Sequence, residues 1–302
     1  MYIYLKLVYR LMKSSAFAPG HITGFFEVCN EGSKLEKKGS RGAGLCLDKG
    51  AISEVEILPS NHQKIRIYID RKRALAPTTD IAIKELVGEG SIEIKVKTKL
   101  QLPQYQGFGI SGAGVLSTSL ALADLLEIDK SDAIRAAHVA EIKAKTGLGD
   151  VGPQVMGGFE VRVKPGIPPY GVIKKLPVRN EQSIVLGIVG EGIKTEHVLR
   201  DKNKKKICSI HAKTCLDEFE KEPSIENFFR LSKQFIINTG LASVHALAAI
   251  KACEPWGLAS QSMIGRSVFA MGDTKNLLKT LKKFGRVIVC KLEEEGARLI
   301  PG

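Results

Sequence analysis

Two stretches in the first third of the chain alternate between hydrophobic and polar residues, and each is predicted to be a β-strand. Residues 65–69 read Ile-Arg-Ile-Tyr-Ile, and residues 92–97 read Ile-Glu-Ile-Lys-Val-Lys. A period of two places every second side chain on the same face of a strand. We therefore expect residues 14–99 to be mostly β, with a short helix between these two strands that ends near Gly88.

Longer apolar segments without this alternation predict helices. Residues 104–126 place four glycines ahead of such a segment, so a loop is expected to lead into a helix that ends at about Glu127. A second helix is expected from Ser131, as its N-cap, to Thr146, with Gly147 ending it. A glycine-rich turn follows over residues 147–158, and residues 159–163, Phe-Glu-Val-Arg-Val, alternate as a strand does.

The second half has the pattern of a separate α+β unit. Its predicted elements are a strand over residues 183–190, helices near residues 207–220 and 224–253, a shorter helix over residues 274–284 and a strand over residues 286–291. Strands and helices in this order suit a two-layer α+β domain. We place the division near residues 177–182, which gives an N-terminal domain of residues 1–180 and a C-terminal domain of residues 181–302.

The composition is that of a globular protein, because 44% of the 302 residues are hydrophobic and 25% are charged. No uninterrupted run of about 18 apolar residues occurs, so we predict no membrane span. Lys6, Arg10 and Lys13 interrupt the apolar start, so no signal peptide is expected, and Met12 is an alternative start to Met1. Six cysteines without a Cys-x-x-Cys pair predict neither a zinc site nor a disulfide framework, and we expect reduced thiols in a cytoplasmic protein.

The net charge of +13 has two explanations that the sequence leaves open. A positive surface suits nucleic acid, but aromatic residues make up only 6% of the chain and no basic–aromatic motif of an RNA- or DNA-binding module occurs. A positive field also attracts anionic substrates such as ATP toward a cleft. The densest basic run, residues 202–206, is interpreted as a solvated loop or a helix flank.

Residues 107–114 carry glycines at positions 107, 109, 112 and 114, directly before the first long predicted helix. Glycine lets the backbone bring its N–H groups close to a ligand, and a helix N-terminus adds unpaired donors and the positive end of a dipole. The junction therefore suits a phosphate group, although a flexible loop before a core helix has the same composition. The sequence is neither a Walker loop nor a clean dinucleotide-binding fingerprint.

Phosphoryl transfer also needs a metal held by oxygen ligands and a group that deprotonates the acceptor. On the second predicted helix, Glu141 shares a face with Ile134 and Ala137, and a carboxylate on a partly apolar face is costly without a cation or a hydrogen-bond donor. Asp150 ends the glycine-rich sequence Thr-Gly-Leu-Gly-Asp. A surface glutamate and an ordinary turn aspartate are the alternative interpretations.

His138 lies one turn before Glu141, and Arg162 follows soon after Asp150, so both are candidates for the same pocket. The planar guanidinium of Arg162 suits bidentate binding of a carboxylate. A packed core histidine and a solvated strand arginine are the alternatives here.

Residues 107–113, Gly-Phe-Gly-Ile-Ser-Gly-Ala, resemble the phosphate loop of the GHMP kinases, whose pattern is Gly-Leu-Gly-Ser-Ser-Ala-Ala. Ile110 replaces the first serine, and Ser111 keeps the second. The resemblance implies that Ser111 and Glu141 hold Mg²⁺ and that Asp150 is the catalytic base. The residues that it assigns to the phosphates of ATP are Gly107, Phe108, Gly109, Ile110, Ser111, Gly112, Ala113 and Gly114.

Two further segments extend the resemblance. Residues 17–27 keep Pro19, Gly20 and Gly24 of the first GHMP motif but lack its Glu-His ending and the lysine that some members carry. Residues 262–272 occupy the place of the third motif in a weakened form. The implied fold is the α+β GHMP kinase fold, with an N-terminal domain like the second domain of ribosomal protein S5 and a C-terminal ferredoxin-like domain.

Within the superfamily, the chain resembles the archaeal pantoate kinases at residues 19–27, 39–44, 107–114, 146–154 and 157–162. This resemblance implies ATP-dependent phosphorylation of pantoate for coenzyme A, by a cytoplasmic homodimer without a nucleic-acid or membrane partner. It makes His138, Arg162, Arg41 and Thr195 the candidate contacts of the pantoate carboxylate. Homoserine or mevalonate as the acceptor is an alternative. A nucleic-acid-binding protein is another, because such proteins share the N-terminal fold.

Overall fold

The computed structural model describes residues 12–178, 183–192 and 201–301, which form two β-sheets covered by helices. The strands of the first sheet are β1 (Met12–Cys29), β2 (Gly39–Pro59), β3 (Lys64–Ile69), β4 (Lys72–Arg73), β5 (Ile92–Leu100), β6 (Phe159–Lys164), β7 (Val172–Leu176) and β12 (Arg298–Ile300). Their order is β12-β1-β2-β5-β3-β4, and β6 pairs with β2 and β7. β3 and β5 are the two strands expected from the alternating residues, so both predictions are confirmed.

The second sheet consists of β8 (Ile184–Ile188), β9 (Gly257–Gln261), β10 (Ser267–Gly272) and β11 (Arg286–Cys290), in the order β11-β8-β10-β9. All of its neighbouring strands are antiparallel. Helices separate β8 from β9 and β10 from β11, which is the β-α-β-β-α-β order of a ferredoxin-like domain. The predicted α+β fold class is confirmed.

Helices cover both sheets. Those that accompany the first sheet are α1 (Pro77–Val87), α2 (Ile110–Leu125), α3 (Lys130–Ala144) and α4 (Val151–Met156). Those that accompany the second sheet are α5 (Lys202–Lys221), α6 (Ile225–Asn238), α7 (Val244–Cys253) and α8 (Thr274–Leu281). α2 contacts β1, β2, α1 and α3, and most of its residues are buried, which agrees with its apolar sequence. Since α5 and α6 also pack on β1, this strand is shared by the helices of both halves.

The two halves meet in one aromatic core. Phe25 of β1 and Phe159 of β6 pack on Phe228 of α6, with ring centroids 6.2 and 5.3 Å from that of Phe228. A second cluster of mainly aliphatic side chains fills the space between α2 and the first sheet. Burial of the aromatic rings holds the first sheet against the helices of the second half.

The last described strand returns to the first sheet. β12 pairs antiparallel with β1, where Ser15 lies opposite Ile300 and Phe17 lies opposite Arg298. The division into residues 1–180 and 181–302 stays a prediction, and this strand of the second half pairs with the sheet of the first half. The unpaired N–H and C=O groups at the edge of a sheet accept a partner from any part of the chain, and sequence order does not limit that choice.

Several helix boundaries differ from the predictions, among them the following. α3 begins at Lys130 with Asp129 as its N-cap, rather than at Ser131. The single helix expected over residues 224–253 is two helices, and Gly240 adopts a positive φ of 66° between them. Inside the turn expected over residues 147–158, the short helix α4 forms and ends where Gly157 has a φ of 73°.

The basic run at residues 202–206 lies in the first turns of α5, which makes it a helix flank. Asp201 caps this helix, because its side chain accepts hydrogen bonds from the N–H groups of Asn203 and Lys204. The six cysteines are free thiols, as expected from their spacing. In the part of the chain that the structure describes, no helix has both the length and the apolar composition needed to cross a membrane.

Candidate active site

A cavity of about 490 Å³ opens beside the N-terminus of α2. The apolar end of the cavity is lined by Ile67, Ile69, Ala74, Leu75, Ala76 and Pro77. Its lining also includes Thr23, Phe26, Ser40, residues 146–150, Met263 and Ile264. Residues 107–111 also line it, so the cavity brings together the glycine loop, Ser111 and Asp150.

The glycine loop enters α2 through two left-handed residues. Gly107 has a φ of 78°, and Gly109, the N-cap of α2, has a φ of 60°, conformations that other residues rarely adopt. The Gly109 carbonyl oxygen accepts hydrogen bonds from the N–H of Ala113 at 3.0 Å and from Nε2 of Gln154 at 2.8 Å. Gln154 on α4 thus fixes the loop, while the N–H groups in the first turn of α2 have no acceptor within the helix. The exposed Ser111 lies on that turn.

Residues 262–272, the weakened third motif, contact the backbone at the start of the glycine loop. A methyl group built on Gly265 would lie 2.2 Å from the carbonyl oxygen of Gln106 and 2.5 Å from the nitrogen of Gly107. The Ser267 hydroxyl donates a 2.5 Å hydrogen bond to the same Gln106 carbonyl. This segment therefore acts through close backbone contact with the loop, which only a glycine at position 265 permits.

Glu141 is buried against the first turn of α2. A methyl group built on Gly112 would lie 3.2 Å from Oε2 of Glu141, and one built on Gly147 would lie 2.6 Å from it, so two glycines make room for the carboxylate. Oε1 of Glu141 has no hydrogen-bond partner among the described residues. Burial, and in addition the negative charge of Asp150, hold the pKa of Glu141 well above its ordinary value.

A divalent cation fits these features. A buried carboxylate oxygen without a partner is costly, and a cation beside it removes that cost. Mg²⁺ usually takes one or two carboxylates from a protein and completes its shell with phosphates and water. Across residues 12–178, 183–192 and 201–301, no three His, Cys, Asp or Glu side chains group into a metal site of their own. The unpartnered Oε1 of Glu141 suits a cation that takes its other ligands from phosphate and water.

Asp150 lines the cavity and is held by a buried histidine. The side chain of Asp150 is 28% exposed, at the N-terminus of α4. Nδ1 of His21, on β1, lies 2.8 Å from Oδ1 of Asp150, and Nε2 of the same ring lies 3.0 Å from Oε1 of Glu160. Burial by itself lowers the pKa of His21, but the hydrogen bonds to Asp150 and Glu160 outweigh it, so this pKa is raised.

Arg162 completes the buried group. Its Nη1 donates to Oε1 of Glu160 at 2.7 Å, and its Nη2 lies 3.4 Å from Oγ1 of Thr23, which lines the cavity. The guanidinium is buried and is not among the described groups that line the cavity. Arg162 thus neutralises Glu160 directly, and one hydroxyl group separates it from the cavity.

The other candidates for the acceptor carboxylate lie elsewhere. His138 is buried against the backbone of residues 35–38, and burial lowers its pKa. Arg41 forms a 2.5 Å ion pair with Glu27 on the neighbouring strand. Neither side chain is among the described residues that line the cavity. Thr195 lies outside the described residues.

Several polar residues of the site are absent from the sequence-based predictions, among them His21, Thr23, Ser40, Gln154 and Glu160. His21 belongs to the first motif, but its partners Asp150 and Glu160 are 129 and 139 positions away in the chain. The one local signal is a histidine within the largely apolar residues 16–26, where a buried polar group requires partners.

Comparison with known proteins places this arrangement in a family. The sequence model of the GHMP kinases N terminal domain matches residues 74–158, which include the glycine loop, Glu141 and Asp150. The pantoate kinase of Methanocaldococcus jannaschii is 33% identical over 277 residues, which cover 91% of this chain and 99% of that protein. The chain belongs to the pantoate kinase family of the GHMP kinases. A pantoate kinase of Thermococcus kodakarensis is 35% identical over 231 residues, 75% of this chain and 76% of that relative.

Solved structures agree with membership in the pantoate kinase family. A phosphotransferase related to the coenzyme A biosynthesis pathway superimposes with a TM-score of 0.87 at 28% identity, over 96% of this chain and 99% of that one. The homoserine kinase of Cytophaga hutchinsonii superimposes with a TM-score of 0.70 at 17% identity, over 97% and 100% of the two chains, and shows the shared fold alone. As a member of the family, this chain is a kinase that takes ATP as its phosphoryl donor.

Proposed function

We propose that this kinase transfers the γ-phosphoryl group of ATP to the terminal hydroxyl of pantoate, which yields 4-phosphopantoate for coenzyme A synthesis. The observation that carries the chemistry is the convergence of Ser111, Glu141 and Asp150 around the N-terminus of α2, beside one cavity. The acceptor is proposed from the relatives, because pantoate kinases from two organisms match most of this chain.

The phosphates of ATP are proposed to lie over residues 107–114. The first-turn N–H groups of α2 and the positive end of its dipole suit phosphate oxygens. The adenine would occupy the apolar end of the cavity, where Ile67 and Ile69 line the wall and the side chain of Leu75 is fully exposed. A ring that covers Leu75 removes apolar surface from water, which favours binding.

Ser111 and Glu141 are proposed to hold Mg²⁺ together with the phosphates. The bound ion would neutralise negative charge that develops on the transferred group. The protein prepares this position in advance, since Gly112 and Gly147 leave room for the Glu141 carboxylate and nothing else in the described chain satisfies its Oε1. The proposal accounts for a buried carboxylate that is otherwise costly.

Asp150 is proposed to orient the pantoate hydroxyl and to accept its proton. Oδ1 of Asp150 is engaged by His21, which leaves Oδ2 for the hydroxyl. As the hydroxyl oxygen forms its bond to the γ-phosphorus, the bond from that phosphorus to the leaving ADP oxygen breaks, and the proton moves to Asp150. A positioned base of this kind contributes about 100- to 10,000-fold to the rate.

The carboxylate of pantoate is proposed to bind where Thr23 and Ser40 line the cavity. Nη2 of the positively charged Arg162 lies 3.4 Å from the hydroxyl oxygen of Thr23. Nε of Arg162 has no hydrogen-bond partner among the described residues. Because a buried charge is only weakly screened, the guanidinium attracts an anion across the intervening hydroxyl.

The test is ADP release with ATP and Mg²⁺ in four parallel reactions, with pantoate, homoserine, mevalonate or no acceptor. We expect turnover with pantoate, and a loss of at least about a hundredfold in kcat for Asp150→Ala. Asp217→Ala, which removes an exposed carboxylate on α5, is the control and should keep full activity. Turnover with homoserine or mevalonate, and not with pantoate, would show that the proposed acceptor is wrong. No turnover with any of the three acceptors would reject the proposal.

A cytoplasmic homodimer that binds no nucleic acid is part of the same proposal, on the strength of the family alone. Light scattering of the purified protein measures its mass in solution and checks the dimer. RNA affinity at physiological salt that falls steeply as salt rises would contradict the absence of a nucleic-acid partner.

A further inference from the structure

We infer that His21 is a positioning residue, which holds the Asp150 carboxylate in the orientation that receives the proton of the acceptor hydroxyl. This inference rests on the proposed function and deepens it. The His21 side chain is 1% exposed and is not among the described residues that line the cavity, so it acts through Asp150 rather than on a substrate. A 2.8 Å contact joins its Nδ1 to Oδ1 of Asp150.

Both ring nitrogens of His21 face carboxylate oxygens. Nδ1 lies 2.8 Å from Asp150 and Nε2 lies 3.0 Å from Glu160, while Nη1 of Arg162 lies farther from Nε2, at 3.4 Å. An ionised carboxylate only accepts hydrogen bonds, so an imidazole that satisfies both contacts carries a proton on each nitrogen. The geometry thus assigns a positively charged imidazolium to His21.

The charges of this buried group balance. His21 and Arg162 are positive and Asp150 and Glu160 are negative, and Arg162 meets Glu160 at 2.7 Å. The other titratable groups near it are Glu141, which faces Asp150, and Cys46, a buried thiol whose pKa is raised well above its ordinary value by burial. The positive imidazolium therefore lies 2.8 Å from the carboxylate that is proposed to accept the proton.

Close packing fixes the direction of the His21 ring. A methyl group built on Gly44 would lie 2.3 Å from Nε2 of His21 and 2.8 Å from Oε1 of Glu160. On another side, a methyl group built on Gly109 would lie 3.1 Å from Cβ of His21. Asp150 itself follows a glycine-rich segment, whose backbone has more freedom than a strand. His21, held rigidly on β1, therefore orients the Asp150 carboxylate, which the segment before Asp150 does not.

Two amide substitutions separate the two hydrogen bonds of His21. The amide nitrogen of asparagine takes nearly the place of Nδ1, and that of glutamine nearly the place of Nε2. His21→Asn therefore keeps a donor toward Asp150, and His21→Gln keeps a donor toward Glu160. We expect His21→Asn to retain kcat within about threefold and His21→Gln to lose about 10- to 100-fold, the effect of one charge-assisted hydrogen bond. KM for ATP should change little in either variant.

The unfolding temperature of each variant is measured beside its kinetics. Equal losses of kcat in the two variants, or losses that simply follow the unfolding temperature, would overturn the positioning role. If the wild-type enzyme phosphorylates another acceptor, the proposed substrate fails, while the same comparison of variants with that acceptor still tests His21.

A second measurement needs no turnover. ¹⁵N NMR of the full chain, labelled at histidine, reports the protonation of each ring nitrogen of His21. We expect two protonated nitrogens at neutral pH, and a shift of the Nδ1 signal in Asp150→Asn but not in Asp217→Asn. An unprotonated Nδ1 at neutral pH would overturn the inference, even for a protein that is inactive with every acceptor, whereas an unprotonated Nε2 alone would overturn the imidazolium assignment.

Discussion

The main-chain N–H of His21 donates a 2.9 Å hydrogen bond to the carbonyl oxygen of Phe108. His21 lies on β1 and Phe108 in the glycine loop, so this bond joins the strand directly to the loop. The ring of the same histidine contacts Asp150. The spacing between the proposed phosphate site and the proposed base is therefore set through one residue.

Replacing Glu141 by glutamine separates its proposed metal role from its effect on stability. Glutamine has nearly the same size without the charge, so we expect kcat to fall by at least about a hundredfold. The unfolding temperature of the ligand-free protein should rise at neutral pH, because the pKa of the buried Glu141 carboxyl lies well above its ordinary value and ionisation there is costly. Steady-state kinetics and calorimetry measure the two effects.

The matched control is Glu89→Gln, which removes a carboxylate from an exposed loop and should change neither quantity. Full activity in Glu141→Gln would exclude Glu141 as a metal ligand. A lower unfolding temperature in that variant would show that the carboxylate has a partner in the ligand-free protein.

Gly265→Ala tests the backbone contact behind the glycine loop. The new methyl group would meet the Gln106 carbonyl oxygen at 2.2 Å, so the loop must move. We expect KM for ATP to rise about 10- to 100-fold, with a smaller change in KM for pantoate. Gly90→Ala is the control, because a methyl group built there meets nothing within 4 Å. An equal rise in both KM values would speak against nucleotide binding on this loop.

Arg162→Met tests the ion pair in the buried group. The substitution leaves the Glu160 carboxylate with less compensation, so the free energy of unfolding should fall by about 3–5 kcal/mol. The double variant Glu160→Gln/Arg162→Met should regain part of this loss, since no unpaired charge remains. Lys164→Met, at the exposed end of the same strand, should change stability little. Urea unfolding measures all three, and a double variant less stable than Arg162→Met would refute the pairing.

The stability that His21 contributes should depend on pH. Burial alone would lower the pKa of His21 in the folded protein. The bonds to Asp150 and Glu160 outweigh burial, so this pKa is raised above the ordinary 6.5. The contribution is therefore fully present below about pH 6.5 and is lost as the pH rises through the folded value. We expect the difference in free energy of unfolding between wild type and His21→Asn to shrink as the pH rises from about 6.5 through the folded pKa of His21. A difference that grows over this range would contradict the raised pKa.

Local patterns predict the elements whose own residues carry the signal. β3 and β5 follow from alternation, and α1 ends before Gly88 as its composition indicates. α4 does not, because its glycines and proline are typical of a turn, and contacts with α3 and β1 accompany its helical form. The edge pairing of β12 likewise depends on which strand lies free in the folded sheet.

The residues of the candidate site also differ in whether local sequence is enough to predict them. Ser111, Glu141 and Asp150 fall within a continuous stretch that follows a family pattern, so sequence is enough to propose them. The surroundings of His138 could not be predicted in this way. The face of α3 that carries His138 meets residues 35–38, and helix periodicity does not specify which segment packs on a face. His21 is the extreme case, since both of its partners come from distant positions.

β1 carries His21 and receives its outer neighbour, β12, from the far end of the described chain. During synthesis, β1 emerges long before β12, and its edge stays unpaired until Arg298–Ile300 have followed. Pairings between such distant positions close slowly, and an open edge in the meantime invites pairing with other chains. A nascent chain therefore exposes an unpaired edge on the same strand that contacts Asp150, and the synthesis of β12 provides the segment that covers it.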